Sequence, residues 1–369
     1  MFWFAVMLLL PVLAIAYLGW HVWLLLPLAS GWKALVVALG TLCFLSVFLD
    51  FTGLLDRFPL SVARCLYVVG TSSLFAVLYA VMLFVVLDVG RLLHLVPRCW
   101  LVGNWTAAAV ILFVLGGLLL YGRLHYNNKV RVCVSLTTDK PLSRDYKIVM
   151  ASDLHLGYHN PRRELARWVD MINAESPDLV LIGGDIVDIS VRPLFSEDMA
   201  AEFRRLRAPV YACLGNHEYY SDMPQVRRFF ADAGICLLVD SVASIEPQLA
   251  IVGRDDHGNR RRQSLEDLLA GLPDSTYTIV LDHKPNNLGE AEHAGVDFQL
   301  SGHTHRGQVW PISWVTDRLF ECSWGEYQRG ATRYYVSSGL GIWGGRFRIG
   351  TQSEYVVASL RRAADVAGQ

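Results

Sequence analysis

The stretch Lys147-Ile-Val-Met-Ala-Ser-Asp153-Leu-His155 decides the fold. Its apolar run, residues 148–151, predicts a short buried strand, and the chain turns polar directly after it with a carboxylate and an imidazole two residues apart. In an extended segment, residues two apart project to one face, so Asp153 and His155 are expected to reach a single ion together. The same sequence grammar recurs four times. Residues 179–182 lead into Gly184-Asp185, 210–214 into Gly215-Asn216-His217, 278–281 into His283, and 298–300 into Gly302-His303-Thr304-His305. His303 and His305 repeat the two-residue spacing. Carboxylate, amide oxygen and imidazole without thiolate suit Mn, Fe, Zn or Mg, and suit a catalytic site better than a structural zinc, which usually takes cysteines.

Working outward, a further strand is expected at 249–252 and helices at 164–174, 197–207, 223–233 and 265–270. Strand and helix in alternation predict an α/β layered domain with its site at the carboxyl ends of strands. No internal repeat or low-complexity tract interrupts it. The seven cysteines show no paired spacing, which fits a reducing compartment, and Cys213 in its apolar run is expected to be a buried free thiol.

The first third has a different composition. Residues 1–125 hold six Lys/Arg and three Asp, whereas the remainder holds 27 basic and 31 acidic residues, so the net charge of −1 conceals two unlike parts. Apolar stretches at 2–29, 34–51, 65–89 and 104–121 are each near or above the length a membrane-crossing helix needs. Residues 1–125 are therefore expected to form a four-helix transmembrane unit. The first stretch lacks the basic leading region and small-residue cleavage site of a signal peptide. His21 stands alone in it, and burial within the bundle or placement near an interface is favoured over a functional role. Residues 126–144 are assigned to a linker and first strand, the latter over 130–136; 145–361 form the catalytic domain and 362–369 a tail. Five basic residues flank the helices on one side (Arg57, Arg64, Arg123, Lys129, Arg131) and three on the other (Lys33, Arg91, Arg98), which favours a multi-pass protein with both termini and the catalytic domain in the cytoplasm.

The five clusters, in this order, resemble the calcineurin-like metallophosphoesterase superfamily: Asp153-x-His155, Gly184-Asp185-x-x-Asp188, Gly215-Asn216-His217-Glu218, His283, and Gly302-His303-x-His305. The match covers roughly residues 145–360. The run Tyr335-Val-Ser-Ser-Gly-Leu-Gly341 resembles the membrane-associated branch that includes UDP-diacylglucosamine-type phosphoesterases. This resemblance implies a β-sandwich flanked by helices and two divalent ions. One ion would be held by Asp153, His155, Asp185 and His305, the other by Asp185, Asn216, His283 and His303. It further implies that His217 contacts the phosphate or protonates the leaving oxygen, with Asp188 and Glu218 in support. Arg306 stands where many relatives carry glycine and could reach a substrate phosphate. Arg260-Arg261-Arg262 is expected to be a solvated loop, with contact to anionic headgroups as the alternative. Trp310, Trp314, Trp324 and Trp343 suit a membrane-facing lip or a lipid-binding groove, with core packing as the alternative.

The expected activity is hydrolysis of a phosphodiester or pyrophosphate in a lipid or lipid-linked substrate at the membrane, with membrane lipids as partners and no nucleic-acid binding. The alternatives are a phosphomonoesterase or a protein or nucleotide phosphatase, and, outside enzymology, a membrane sensor or scaffold, for which a broken ligand set would be expected.

Overall fold

Twelve strands collect into two six-stranded sheets in the computed structural model, which describes residues 2–363 without the side chains of residues 2–8 and Phe51. Of the tail assigned to 362–369, residues 364–369 lie outside the described residues. The first sheet contains β1 Lys129–Thr138, β2 Tyr146–Ala151, β3 Leu179–Ile182, β4 Val210–Ala212, β5 Ile235–Leu237 and β12 Ser353–Arg362, in the order β1-β12-β2-β3-β4-β5. The second contains β6 Ser241–Glu246, β7 Leu249–Gly253, β8 Tyr277–Leu281, β9 Phe298–Ser301, β10 Gly325–Arg329 and β11 Thr332–Val336, in the order β10-β11-β9-β8-β7-β6. β2, β3 and β4 run parallel, as do β7, β8 and β9.

The two sheets share one core. Ile148, Met150, Leu179 and Leu181 of the first sheet pack with Ile251, Ile279, Leu281 and Leu300 of the second. The alternate residues Val149, Ala151, Val180 and Ile182 point the other way, under helices Arg162–Ala174 and Met223–Ala233. β2 and β3 are thus covered on both faces, which is why their sequences are unbroken apolar runs. Helix Arg162–Ala174 follows Pro161 and presents Leu165, Trp168, Val169 and Ile172, the spacing of one helical stripe, to that core. Each such side chain taken out of water contributes roughly 1.5–3 kcal/mol. Val252, Val280 and Val336 pack against Leu265, Leu288 and Ala291 on the outer side of the second sheet. The result is a mixed α/β unit of two sheets with helices outside them.

The helix expected over 197–207 is instead two short ones, Arg192–Ser196 and Met199–Phe203. Asp198 between them sits in the left-handed region at φ 49°, which no continuous helix accommodates.

The chain divides into two units, one of residues up to Leu124 with Gly344–Phe347, the other of His125–Trp343 and the residues from Arg348 onward. In the first, helices Phe2–Leu25, Ser30–Leu45, Leu60–Leu92 and Trp105–Asn127 fall on the four apolar stretches. Among the described residues only Leu60–Leu92 and Trp105–Asn127 are long and apolar enough to cross a membrane; Leu9–Leu25 and Ser30–Leu45 are shorter. His21 is not isolated. Its Nε2 lies 2.9 Å from Asp88 Oδ2, which also accepts the Tyr17 hydroxyl at 2.6 Å, and its ring stacks on Phe84 with centroids 4.3 Å apart.

Candidate metal centre

Parallel strands bring their carboxyl ends together, so the polar turns after β2, β3, β4, β8 and β9 converge. Asp153 and His155 follow β2, Asp185 follows β3, Asn216 and His217 follow β4, His283 follows β8, and His303 and His305 follow β9. They meet for a reason other than extended geometry: Asp153 (φ 54°), His155 (43°), Asp185 (52°), His303 (69°) and His305 (48°) all occupy the left-handed region. Such a conformation costs a non-glycine residue roughly 1–3 kcal/mol and persists only where neighbours enforce it. Here the turns tie one another down, with Asp153 N–H donating to Gly184 O at 3.0 Å, His155 N–H to Asp185 O at 3.0 Å, and Gly302 N–H to His283 O at 2.8 Å. The motif glycines make room for this. A Cβ on Gly215 would lie 2.1 Å from Asp185 Oδ1, and one on Gly302 would lie 2.3 Å from Asp153 Oδ2.

Three overlapping groups able to hold a cation result: Asp153, His155 and His305; His155, Asp185 and His217; and Asp185, His283 and His303. His155 Nε2 lies 3.1 Å from His305 Nε2, His283 Nε2 lies 3.0 Å from Asp185 Oδ2, and His305 Nε2 lies 3.5 Å from Asp153 Oδ1. Asp153, His155, Asp185 and His283 are fully buried. Asn216 Oδ1 is buried without a hydrogen-bond partner, while its amide nitrogen faces Tyr220. An orphaned amide oxygen and converging imidazole nitrogens around two buried carboxylates are the donor set a pair of divalent cations requires.

Burial pushes the Asp153 carboxyl up. Asp185 is drawn well below the usual range, because His283, His217 and His155 outweigh its burial. Burial works to lower His283, yet Asp185 and Asp153 push it up to about 10. His217 is similarly pushed up to about 9 by Asp185 and Asp188 against its burial. Burial and the neighbouring His283 hold His303 down to about 3.

An outer ring fixes these groups. Asp188 Oδ1 lies 3.4 Å from His155 Nδ1 and 3.2 Å from His217 Nδ1, so one buried carboxylate orients both imidazoles. Glu218 is a brace: its carboxylate accepts the backbone N–H of Asp185 (3.2 Å), Val187 (2.9 Å) and Gly215 (2.8 Å), joining the turns after β3 and β4. Two supporting residues carry no sequence signal. Asn160 donates to Leu154 O and His155 O at 3.0 and 3.1 Å and accepts from the Tyr126 hydroxyl. Arg348, fully buried, donates to His305 O at 2.7 Å and to Ser338 O. Burial lowers its guanidinium to about 10.

Other sequence candidates fall elsewhere. Arg306 lies over the Trp324 ring, 4.1 Å from its centroid. The triple arginine is not one exposed run: Arg262 turns inward and pairs with Asp282, leaving Arg260 and Arg261 exposed. Trp324 donates to Glu354 at 2.9 Å, whereas Trp310 and Trp314 are exposed and meet edge to face. Cys213 is buried and free, its thiol pushed up by burial.

Residues 146–307 match the calcineurin-like phosphoesterase family. An uncharacterised metallophosphoesterase of Campylobacter jejuni is 31% identical over 258 residues, 68% of either chain. One of Aquifex aeolicus is 33% identical over 239 residues, 62% of this chain and 90% of that protein. A transmembrane protein with a metallophosphoesterase domain from Danio rerio is 29% identical over 280 residues, 71% of this chain and 64% of its own length.

Proposed function

Because this chain belongs to the calcineurin-like metallophosphoesterase family and is a phosphoester hydrolase, we propose that it cleaves a phosphodiester or pyrophosphate bond in a lipid or lipid-linked molecule, using two divalent ions. Asp153, His155, Asp185 and His305 would hold one ion, and Asp185, Asn216, His283 and His303 the other. The observation that carries this assignment is that the cation-holding groups interlock, the first with the second through His155 and the second with the third through Asp185. A pair of divalent ions supplies charge that clamps a phosphate and activates water for in-line displacement.

The remaining chemistry belongs to the chain itself. Asp188 holds His217 through Nδ1, so Nε2 is the nitrogen left to give a proton to the departing oxygen. Asp185 Oδ1 accepts the His217 backbone N–H at 2.9 Å, so the proton donor and the shared ligand move as one piece. Arg306 remains a candidate for phosphate contact if it leaves Trp324 on substrate binding.

A lipid substrate is favoured by the two membrane-length helices and by the likeness to a protein named as transmembrane. The basic residues flanking the helices favour a multi-pass arrangement with the catalytic unit in the cytoplasm. The resemblance of residues 335–341 to UDP-diacylglucosamine-type enzymes names one substrate class to try. Purified protein reconstituted with Mn, Fe, Zn or Mg should be assayed on bis-p-nitrophenyl phosphate, p-nitrophenyl phosphate and lipid-linked pyrophosphates. Preference for the diester or pyrophosphate supports the proposal. Preference for the monoester favours the phosphatase alternative, and no turnover with both ions bound favours a sensor.

A further inference from the structure

Helix Ile312–Leu319 is built inside out for a soluble surface. Ser313 is buried against the domain, while Ile312, Trp314, Val315 and Leu319 are 39–72% exposed, with Trp310 beside them. A surface helix normally does the reverse, and a contiguous exposed apolar face marks a surface that meets something apolar. Among the described residues of the catalytic unit, the large exposed hydrophobic side chains are these five and Tyr219 and Tyr220. Both groups belong to the metal centre's own segments. Tyr219 and Tyr220 end helix Asn216–Tyr220, which begins with Asn216 and His217. Helix Ile312–Leu319 packs at its start on the turn that follows His305, and the residue after its end lies near His303. A Cβ on Gly307, two residues after His305, would lie 2.5 Å from Ile312 C and Ser313 N, and Phe320, just past the helix, stands 6.2 Å from the His303 ring.

We propose that Trp310 and helix Ile312–Leu319, with Tyr219 and Tyr220, form a lip that inserts into the interfacial layer of a lipid bilayer and presents the metal centre to phosphate groups lying in that layer. The occupant is lipid, for three reasons on the chain itself. The exposed side chains are rich in tryptophan and tyrosine, whose amphipathic rings settle at the headgroup level, together with large aliphatic residues on the helix. Arg318, exposed in the last turn, suits anionic headgroups. The chain also carries the membrane-length helix Trp105–Asn127, and only Asn128 separates it from β1. The inference rests on the phosphoesterase reading and narrows its substrate to an amphiphile whose phosphate stays at the membrane surface.

The test uses the full chain in lipid nanodiscs containing a photoactivatable phospholipid, with labelled peptides identified by mass spectrometry. Label on the 310–320 peptide is expected. Label confined to Leu60–Leu92 and Trp105–Asn127, or cross-links joining 310–320 to a second copy or another protein, would overturn the proposal. In parallel, Trp314→Ser/Leu319→Ser should cleave soluble bis-p-nitrophenyl phosphate like the wild type. It should lose about tenfold in kcat/KM on phosphatidyl-p-nitrophenol presented in vesicles. Equal loss on both substrates, or loss on neither, counts against the lip. A wild type that cleaves only the soluble diester refutes the lipid-substrate reading, while the labelling result still decides the helix.

Discussion

His217 and Glu218 are neighbours in sequence with separate tasks. His217 is a partly exposed imidazole, as are His303 and His305, and it is held on Asp188, with Asp185 and Asp188 pushing it up to about 9 against its burial. Replacing it with alanine removes a proton donor and no proposed ligand. His217→Ala should therefore lower turnover by about a hundredfold to ten-thousandfold on alkyl phosphodiesters, and by less on p-nitrophenyl esters, whose leaving group needs no proton. Metal content measured alongside should be unchanged; a fall would return His217 to the ligands. Glu218 takes three backbone N–H groups inside the domain. Glu218→Ala would leave them buried and unpaired at about 1–3 kcal/mol each, enough to lower the thermal midpoint markedly before any assay of activity. A midpoint within a degree or two of wild type would show that the brace is dispensable. At this scale the sequence was informative where chemistry is local. Asp153, His155, Asp185, His283, His303 and His305 lie in short motifs, and the structure gathers them into overlapping groups, while Asn216 offers a buried, unpartnered amide oxygen. Asn160 and Arg348 are not legible in that way, because they act on backbone carbonyls of other turns, and a carbonyl leaves no signature in composition.

The turn after β9 concentrates the strain of the site in a few residues. His303, His305, Arg306, Gly307 and Gln308 all have positive φ, and Gly302 ahead of them sits against Asp153 and Ser152. Gly302→Ala would push a methyl into the Asp153 carboxylate, displacing a proposed ligand without removing it. The expected outcome is a folded protein with weakened metal binding and at least a tenfold activity loss, partly restored by excess metal; full activity at limiting metal would show that the turn relaxes freely. The strands feeding the site could be anticipated because burial on both faces makes them unbroken apolar runs. β5, β6, β10, β11 and β12 are not marked by such runs. β12 illustrates why: Ser353, Glu354 and Ser359 interrupt its apolar residues, yet Glu354 is buried and accepts from Tyr335 and Ser338. A polar residue satisfied by partners distant in sequence looks like a loop residue until those partners are known. The spacing argument for Asp153 and His155 reached the correct pair through an extended backbone that the turn does not have.

Across the whole molecule, the buried carboxylates and imidazoles make metal, pH and stability one problem. Without cations, His217 and His283 have pKa values raised from the ordinary 6.5 to about 9 and about 10. The stability they contribute is therefore fully present below about pH 6.5 and is lost as pH rises through 9 to 10. Imidazoles that bind metal must be neutral, so metal affinity changes in the opposite sense, rising with pH. The gap in thermal midpoint between metal-loaded and metal-stripped protein should widen from pH 6 to pH 9, and a constant or narrowing gap would contradict the charge balance described. The two-ion site is measured most directly as metal content per chain by elemental analysis, for wild type and Asp185→Asn purified in parallel and matched by circular dichroism. Two ions per wild-type chain, and less than one with no turnover in Asp185→Asn, is the predicted result; a folded Asp185→Asn protein that keeps wild-type metal content and activity would contradict it.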